Sequence, residues 1–194
     1  MYRMFFMSRQ PSESKNLEVA TLAGGCFWCT EAAFSIMKGV ERIEPGYTGG
    51  NVSNPTYEEV LTGTTGHAEA AQIYFDPKVI SYREILEIFF TMHDPTSLNR
   101  QGADIGTQYR SAIFYHNPEQ KDTAEKLIDE LNKEGIWNKP IVTAVEPLNV
   151  FYNAETYHKD YYKKHPKAPY CQAVIAPKIA KLQQHFIDKI KVPL

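Results

Sequence analysis

No apolar run in the 194-residue sequence approaches the roughly 20 residues that a membrane-spanning helix needs, so no such helix is expected. A basic stripe is missing too. The 21 Lys and Arg are scattered among 23 Asp and Glu, for a net charge of −2, which excludes the surface that neutralises a phosphate backbone, and nucleic acid is not an expected partner. There is no internal repeat and no low-complexity tract, which rules out solenoids and polar tethers. Cysteine is scarce: three thiols, an odd number, in a chain too long to need disulfide staples. At most one intramolecular disulfide can form, and the pattern suits a reducing compartment, so a cytoplasmic location is expected.

The chain does have enough apolar matter for a core, at 43% hydrophobic and 12% aromatic residues, and its length fits one globular domain. That domain is expected over residues 17–194, including a C-terminal helix, and as a monomer. The opening "MYRMFFMSRQPSESK" has neither the apolar centre nor the small-residue cleavage site of a secretory signal, so residues 1–16 read as a flexible N-terminal tail.

Strand and helix signals alternate through the middle of the chain. "LEVATLA" (17–23) alternates apolar residues and runs into Gly24-Gly25, as a strand leaving the core through a glycine turn does. Further strands are expected at 71–76, 111–116 and 141–148. A helix is expected over 27–37, a second behind the capping box of Ser81 and Glu84, and a third from Asn117-Pro118 to Gly135. Residues 177–190 place Ile179, Leu182, Phe186 and Ile190 at helical spacing, which predicts a surface helix. The result is a helix-covered mixed sheet. Two stretches, 46–69 and 93–110, read as long connections rich in Gly, Asn, Thr and Tyr, and connections of that length are usually functional or disordered.

The chemistry centres on Cys26-Phe27-Trp28-Cys29, directly after the two glycines. Half of a zinc site would need two further ligands at fixed spacing, and the chain offers Cys171 and isolated histidines. A thioredoxin-like dithiol fits better, because CxxC at a helix amino terminus lowers a thiol pKa and permits a local disulfide. A lone Cys26 nucleophile, with Phe27 and Trp28 as an apolar wall for a methyl or thioether group, also explains the aromatics. Such a nucleophile needs a group to protonate a leaving oxygen. Glu69, next to a strand start, is a candidate acid, with Tyr57 and Tyr109 in the two connections as neutral donors. His67, His93 and Asp104 read individually as loop-capping residues.

The stretches "GGCFWCTEAAF", "GYTGG", "NPTYEEVLTGTTGHAEAAQIYFDP", "HDPTSLNRQGADIGTQYRSAIFY" and "KKHPKAPYC" together resemble the A-class peptide methionine sulfoxide reductases, in order, over residues 17 to 171. The resemblance implies an α+β fold, a two-layer α/β sandwich with a ferredoxin-like mixed sheet and long catalytic loops. It implies reduction of the S epimer of methionine sulfoxide, in oxidised proteins or free, one enzyme class serving each epimer. It makes Cys26 the nucleophile that becomes a sulfenic acid, Glu69 the acid with a raised pKa, and Tyr57 and Tyr109 donors to the sulfoxide oxygen. Asp104 would orient substrate or a water, and Phe27 and Trp28 would receive the methyl group. No bound cofactor and no metal are implied, and thioredoxin is the external reductant.

The sequence departs from the family pattern at three places. Cys29 stands where glycine is commonest, Ala103 where asparagine is usual, and "QAVIAPK" replaces the glycine-rich tail that usually follows the Cys171 position. The resolving thiol is expected to be Cys171, with Cys29 as the second candidate. A non-enzymatic redox sensor, working through a Cys26–Cys29 disulfide, would need none of Glu69, Tyr57 or Tyr109.

Overall fold

The structure, a computed structural model, describes residues 16–191; the tail expected over 1–16 lies, except for Asn16, outside the described residues. In chain order the elements are β1 (Glu18–Gly24), α1 (Phe27–Ser35), β2 (Val40–Thr48), α2 (Tyr57–Leu61), β3 (Ala68–Phe75), α3 (Tyr82–Met92), β4 (Arg100–Gln101), β5 (Asp104–Ile105), β6 (Ser111–Tyr115), α4 (Pro118–Glu134), β7 (Ala144–Pro147), β8 (Phe151–Asn153), α5 (Tyr161–Lys164) and α6 (Ala176–His185).

Strand β1 is the hub. It pairs antiparallel with β3 on one side and β6 on the other, and β3 pairs antiparallel with β2. The unit β1-α1-β2-β3-α3-β6 therefore lies in the sheet order β6-β1-β3-β2, which is the ferredoxin-like βαββαβ arrangement. Two short edge strands extend it. β7 runs parallel to β6 and β8 antiparallel to β2, so the six-stranded sheet is mixed.

Period-two alternation divides the sheet into two faces. Leu22, Ile73, Phe75 and Ile113 pack under the helices against Phe34, Met37, Ile85, Phe89, Leu127 and Leu182. The opposite face carries a smaller cluster of Ala23, Ala68, Ala70, Ala112 and Phe114, covered by Leu148 and Phe151. Glu69 falls in the same alternating set as Ala71, Ile73 and Phe75. Its carboxyl thus points into the helix-covered layer and is 1% exposed.

The helix starts follow local chemistry. Ser81 Oγ accepts the Glu84 amide at 3.2 Å while the Glu84 carboxylate accepts the Ser81 amide at 2.7 Å, both halves of the expected box. Asn117 Oδ1 accepts the Gln120 amide at 2.9 Å, and α4 ends at Gly135, whose φ of 65° is left-handed.

Three expectations are corrected. The 46–69 connection opens inside β2 and contains α2, begun by a Thr56–Glu59 capping box. β2 is hard to read because Glu41, Arg42 and Glu44 face outward and Pro45-Gly46 lowers its strand propensity. The 93–110 connection holds the β4–β5 ribbon and a 3₁₀ turn, Thr107–Tyr109. The last helix stops at His185, not at Ile190. Its chain turns so that the Lys189 carbonyl accepts the Lys38 amide at 2.7 Å and the Lys191 amide reaches the Ile36 carbonyl at 2.8 Å, satisfying groups at the end of α1. Among the described residues, no helix is long and apolar enough to cross a membrane.

Candidate active site

The turn from β1 into α1 places Cys26. Gly25 has φ +92°, and a Cβ there would meet the Gln101 side chain at 2.7 Å, so only glycine takes this corner without strain. Cys26 follows as the N-cap residue of α1, half-buried, at the positive end of the helix dipole.

Beneath this corner lies Glu69. Its Oε2 accepts the Phe27 amide at 3.1 Å, one residue after Cys26. Burial pushes its pKa up to about 8, the Asp104 charge adds to the rise, and the Phe27 amide opposes it. Near neutrality Glu69 is therefore a carboxylic acid with a proton to give. Tyr57, first residue of α2, and Tyr109, last residue of the 3₁₀ turn, both feel the Glu69 charge; burial first, then Glu69, raises each phenol well above its ordinary range. Three protonated oxygens thus gather over one thiol.

The two aromatics of the motif separate. Phe27 is 1% exposed and forms a floor with Tyr47 and Val60. Trp28 reaches the surface, stacked on Tyr161 at 3.7 Å and 5° between ring planes, with its indole N–H donated to His158 Nδ1 at 3.1 Å. Since Nδ1 accepts, the remaining His158 proton sits on Nε2, 3.8 Å from the Glu155 carboxylate. Burial holds His158 below its ordinary pKa, and it stays neutral. Glu155 also accepts the Tyr57 amide at 2.9 Å and the Tyr47 hydroxyl at 2.7 Å. Glu31, buried within α1, accepts the Asp160 amide at 2.8 Å and so ties this segment to the helix carrying the thiols. Glu155, His158, Tyr161 and Tyr170 are absent from the sequence-based candidates. The signal for the first three was the Glu-x-x-His spacing in the tyrosine-rich "ETYHKDYY", while Tyr170 stands in "KKHPKAPYC".

The third group surrounds Cys29. Its amide donates to the Cys26 carbonyl at 3.0 Å. The neighbouring Cys26 thiol first, then Lys178 and Tyr170, lower the Cys29 pKa to about 7, while burial raises the Cys26 thiol. Tyr170 donates its hydroxyl to Asp104 Oδ2 at 2.7 Å and stands 3.8 Å from Cys29 Sγ. Cys171 is fully buried in the core, in a π-helical turn (Cys171–Ile175) that continues directly into α6, and the thiol whose charge it feels is Cys29. Of the two candidate resolving thiols, Cys29 lies within one turn of Cys26 on α1, whereas Cys171 is buried in the core. The segment that stands where the glycine-rich tail is usual folds onto α1 as helix.

His67 and His93 stand apart from this constellation. His67 Nδ1 accepts the Gly50 amide at 3.1 Å and Nε2 lies 2.7 Å from the Val52 carbonyl, bracing the loop after β2. His93 bridges the Phe89 carbonyl and Ser111 Oγ, at 2.6 and 2.8 Å, and burial lowers its pKa to about 4.

The model of the family described as peptide methionine sulfoxide reductase matches residues 18–190. The chain belongs to this family. It is 60% identical over 176 residues to a "Peptide methionine sulfoxide reductase MsrA" of Saccharolobus solfataricus, covering 91% of this chain and 98% of that protein. Among solved structures, it is similar to Mxr1 of Saccharomyces cerevisiae in reduced form, with a TM-score of 0.75, 35% identity, and coverage of 85% of this chain and 94% of that one. Mxr1 in complex with Trx2 is similar at a TM-score of 0.53 and 26% identity, covering 80% of this chain and 91% of that one. Family membership and the α+β likeness agree with the resemblance read from the motifs.

Proposed function

We propose that this chain, working as a monomeric single domain in the cytoplasm, reduces the S epimer of methionine sulfoxide, free or in oxidised proteins, through a Cys26 sulfenic acid and a disulfide that thioredoxin reopens. The observation that carries the reading is Glu69: a carboxyl buried beneath the Cys26 corner and held by the Phe27 amide at 3.1 Å, whose burial raises its pKa to about 8. A sulfoxide oxygen leaves poorly unless protonated, so an acid and two phenols converging on one sulfur suit this reaction.

Cys26 sulfur bonds to the sulfoxide sulfur while Glu69, helped by Tyr57 and Tyr109, protonates the oxygen, which takes up the Cys26 thiol proton as well and leaves as water when the S–O bond breaks. A water molecule then attacks Cys26 sulfur, the bond between the two sulfurs breaks with its electron pair going to the departing methionine, Cys26 holds S–OH, and the proton released by that water returns to Glu69. Trp28, clamped by Tyr161 and His158, offers its face to the substrate methyl group. Phe27 supports this wall from below, and Asp104 orients the substrate. Cys29 sulfur then attacks Cys26 sulfur, releasing water and forming a disulfide between neighbours on α1. Support for thioredoxin as the reductant comes from the likeness to Mxr1, which has been captured with Trx2.

The test is single-turnover reduction of the separated S and R epimers without thioredoxin, with mass spectrometry of the cysteines, on wild type, Cys26→Ser, Cys29→Ser and Cys171→Ser. The expected result is methionine from the S epimer alone, none from Cys26→Ser, and a persistent sulfenic acid in Cys29→Ser. Methionine formation by Cys26→Ser would overturn the reading.

A further inference from the structure

The two sulfurs of the proposed disulfide are not equally open to a partner. Cys26 stands ahead of the first turn of α1, half-buried at the edge of the cluster formed by Phe27, Tyr47 and Val60. Its sulfur is the one that a sulfoxide must meet in the proposed reaction, so a molecule entering from outside has to be able to reach it. Cys29, one turn further in, is 1% exposed and joins the apolar core with Ala32, Ala33, Phe34 and Cys171. Tyr170 lies against it and is itself held at both ends. Its hydroxyl stands 3.8 Å from Cys29 Sγ and is donated to Asp104 Oδ2 at 2.7 Å, while its ring meets Trp28 edge-on at 5.9 Å. Trp28 is in turn stacked on Tyr161 at 3.7 Å. A partner's sulfur could touch Cys29 only after opening this packing, whereas Cys26 needs no such opening.

We propose that thioredoxin reopens the disulfide by attacking Cys26 and not Cys29, so that one sulfur receives first the substrate and then the reductant while Cys29 stays covered throughout the cycle. The inference rests on the proposed Cys26–Cys29 disulfide. Exchange depends on which sulfur the attacking thiolate can reach and on how readily the other leaves. In the first step a thioredoxin thiolate bonds to Cys26 sulfur, and the bond between Cys26 and Cys29 breaks with its electron pair going to Cys29, which departs as thiolate. In the second step the other thioredoxin thiol gives its proton to solvent and attacks the thioredoxin sulfur of the mixed disulfide. Cys26 sulfur then leaves with the electron pair and takes up a proton. Thioredoxin ends oxidised, with its two sulfurs joined, and the two cysteines of α1 end reduced. The Cys29 pKa of about 7 points the same way as the burial, since a less basic sulfur leaves faster.

The experiment traps the mixed disulfide. The full chain is oxidised by one turnover with methionine S-sulfoxide, its disulfide is located by mass spectrometry, and it is then mixed with a thioredoxin whose second active-site cysteine is serine, so that the first exchange cannot proceed further. After acid quench, fragmentation of the joined peptides should place thioredoxin on Cys26 in at least about tenfold excess over Cys29. A second arm uses Cys29→Ser, whose Cys26 is left as a sulfenic acid after one turnover. The same thioredoxin should join Cys26 directly, its sulfur displacing the hydroxyl as water, because the sulfur it reaches does not depend on Cys29. Thioredoxin found mainly on Cys29 of the wild type would overturn the proposal, and so would a Cys26 sulfenic acid that thioredoxin does not consume. A wild-type turnover that leaves no Cys26–Cys29 disulfide would instead overturn the assignment of Cys29, on which the proposal rests.

Discussion

The two flanks of the α1 amino terminus are built on opposite electrostatic principles. On the β3 flank, Glu69 is buried and Tyr57 and Tyr109 are half-buried, and burial raises all three pKa values. On the α6 flank, Cys29 is as buried as Glu69, yet the neighbouring Cys26 thiol first, then Lys178 and Tyr170, bring its pKa down to about 7. Burial alone therefore does not set the sign of the shift; what accompanies the buried group does. One helix start thus holds protons on one side and a negative charge on the other, as protonating an oxygen and then attacking a sulfenic acid require.

The contrast can be broken from either flank. Glu69→Gln should slow methionine formation by about 10²- to 10³-fold and remove the decline in rate expected of wild type as pH rises through about 8, in a single-turnover pH profile. An alkaline decline that persisted in this variant would assign it to another group. The same substitution should stabilise the fold. A carboxyl whose folded pKa lies above its unfolded value costs stability as pH rises from the unfolded value toward the folded one, so Glu69→Gln should gain about 3 kcal/mol over wild type between pH 5 and pH 8 in urea unfolding. Tyr57→Phe and Tyr109→Phe should each slow methionine formation about tenfold and leave disulfide formation from a preformed sulfenic acid unchanged, which sharpens the division between flanks. Gly25→Ala should cost about 1–2 kcal/mol of stability and slow both half-reactions together, because both flanks hang on that turn. Slowing of one half-reaction only would show that the corner positions a single flank.

Much of this was legible in the residues. The glycine corner, the helix after Cys26, the capping box at Ser81 and the Asn117–Gly135 helix all rest on local chemistry, which a sequence displays directly. Glu69 could be named as an acid from its place beside a strand, but its burial depended on which face of β3 it joined, and that is set by the pairing with β1 and β2. Strand β2 was missed because charged residues and Pro45-Gly46 hide it. Glu155, His158 and Tyr170 were missed because their partners lie between 66 and 130 positions away in the chain. The burial of Cys171 was hidden for a related reason: a replaced tail reads as a loss of mobility, whereas its packing against α1 is a tertiary fact.

The short span between Cys26 and Cys29 carries a last consequence, for engineering. Positions three apart on a helix lie about 5–6 Å from each other, so the proposed redox cycle closes within one turn of a rigid element. No distant arm has to travel to the nucleophile. In this protein thermal hardening and turnover should therefore be separable: prolines in surface loops or a shortened ribbon could raise the melting temperature without slowing recycling, a freedom denied to enzymes whose cycle depends on a swinging segment.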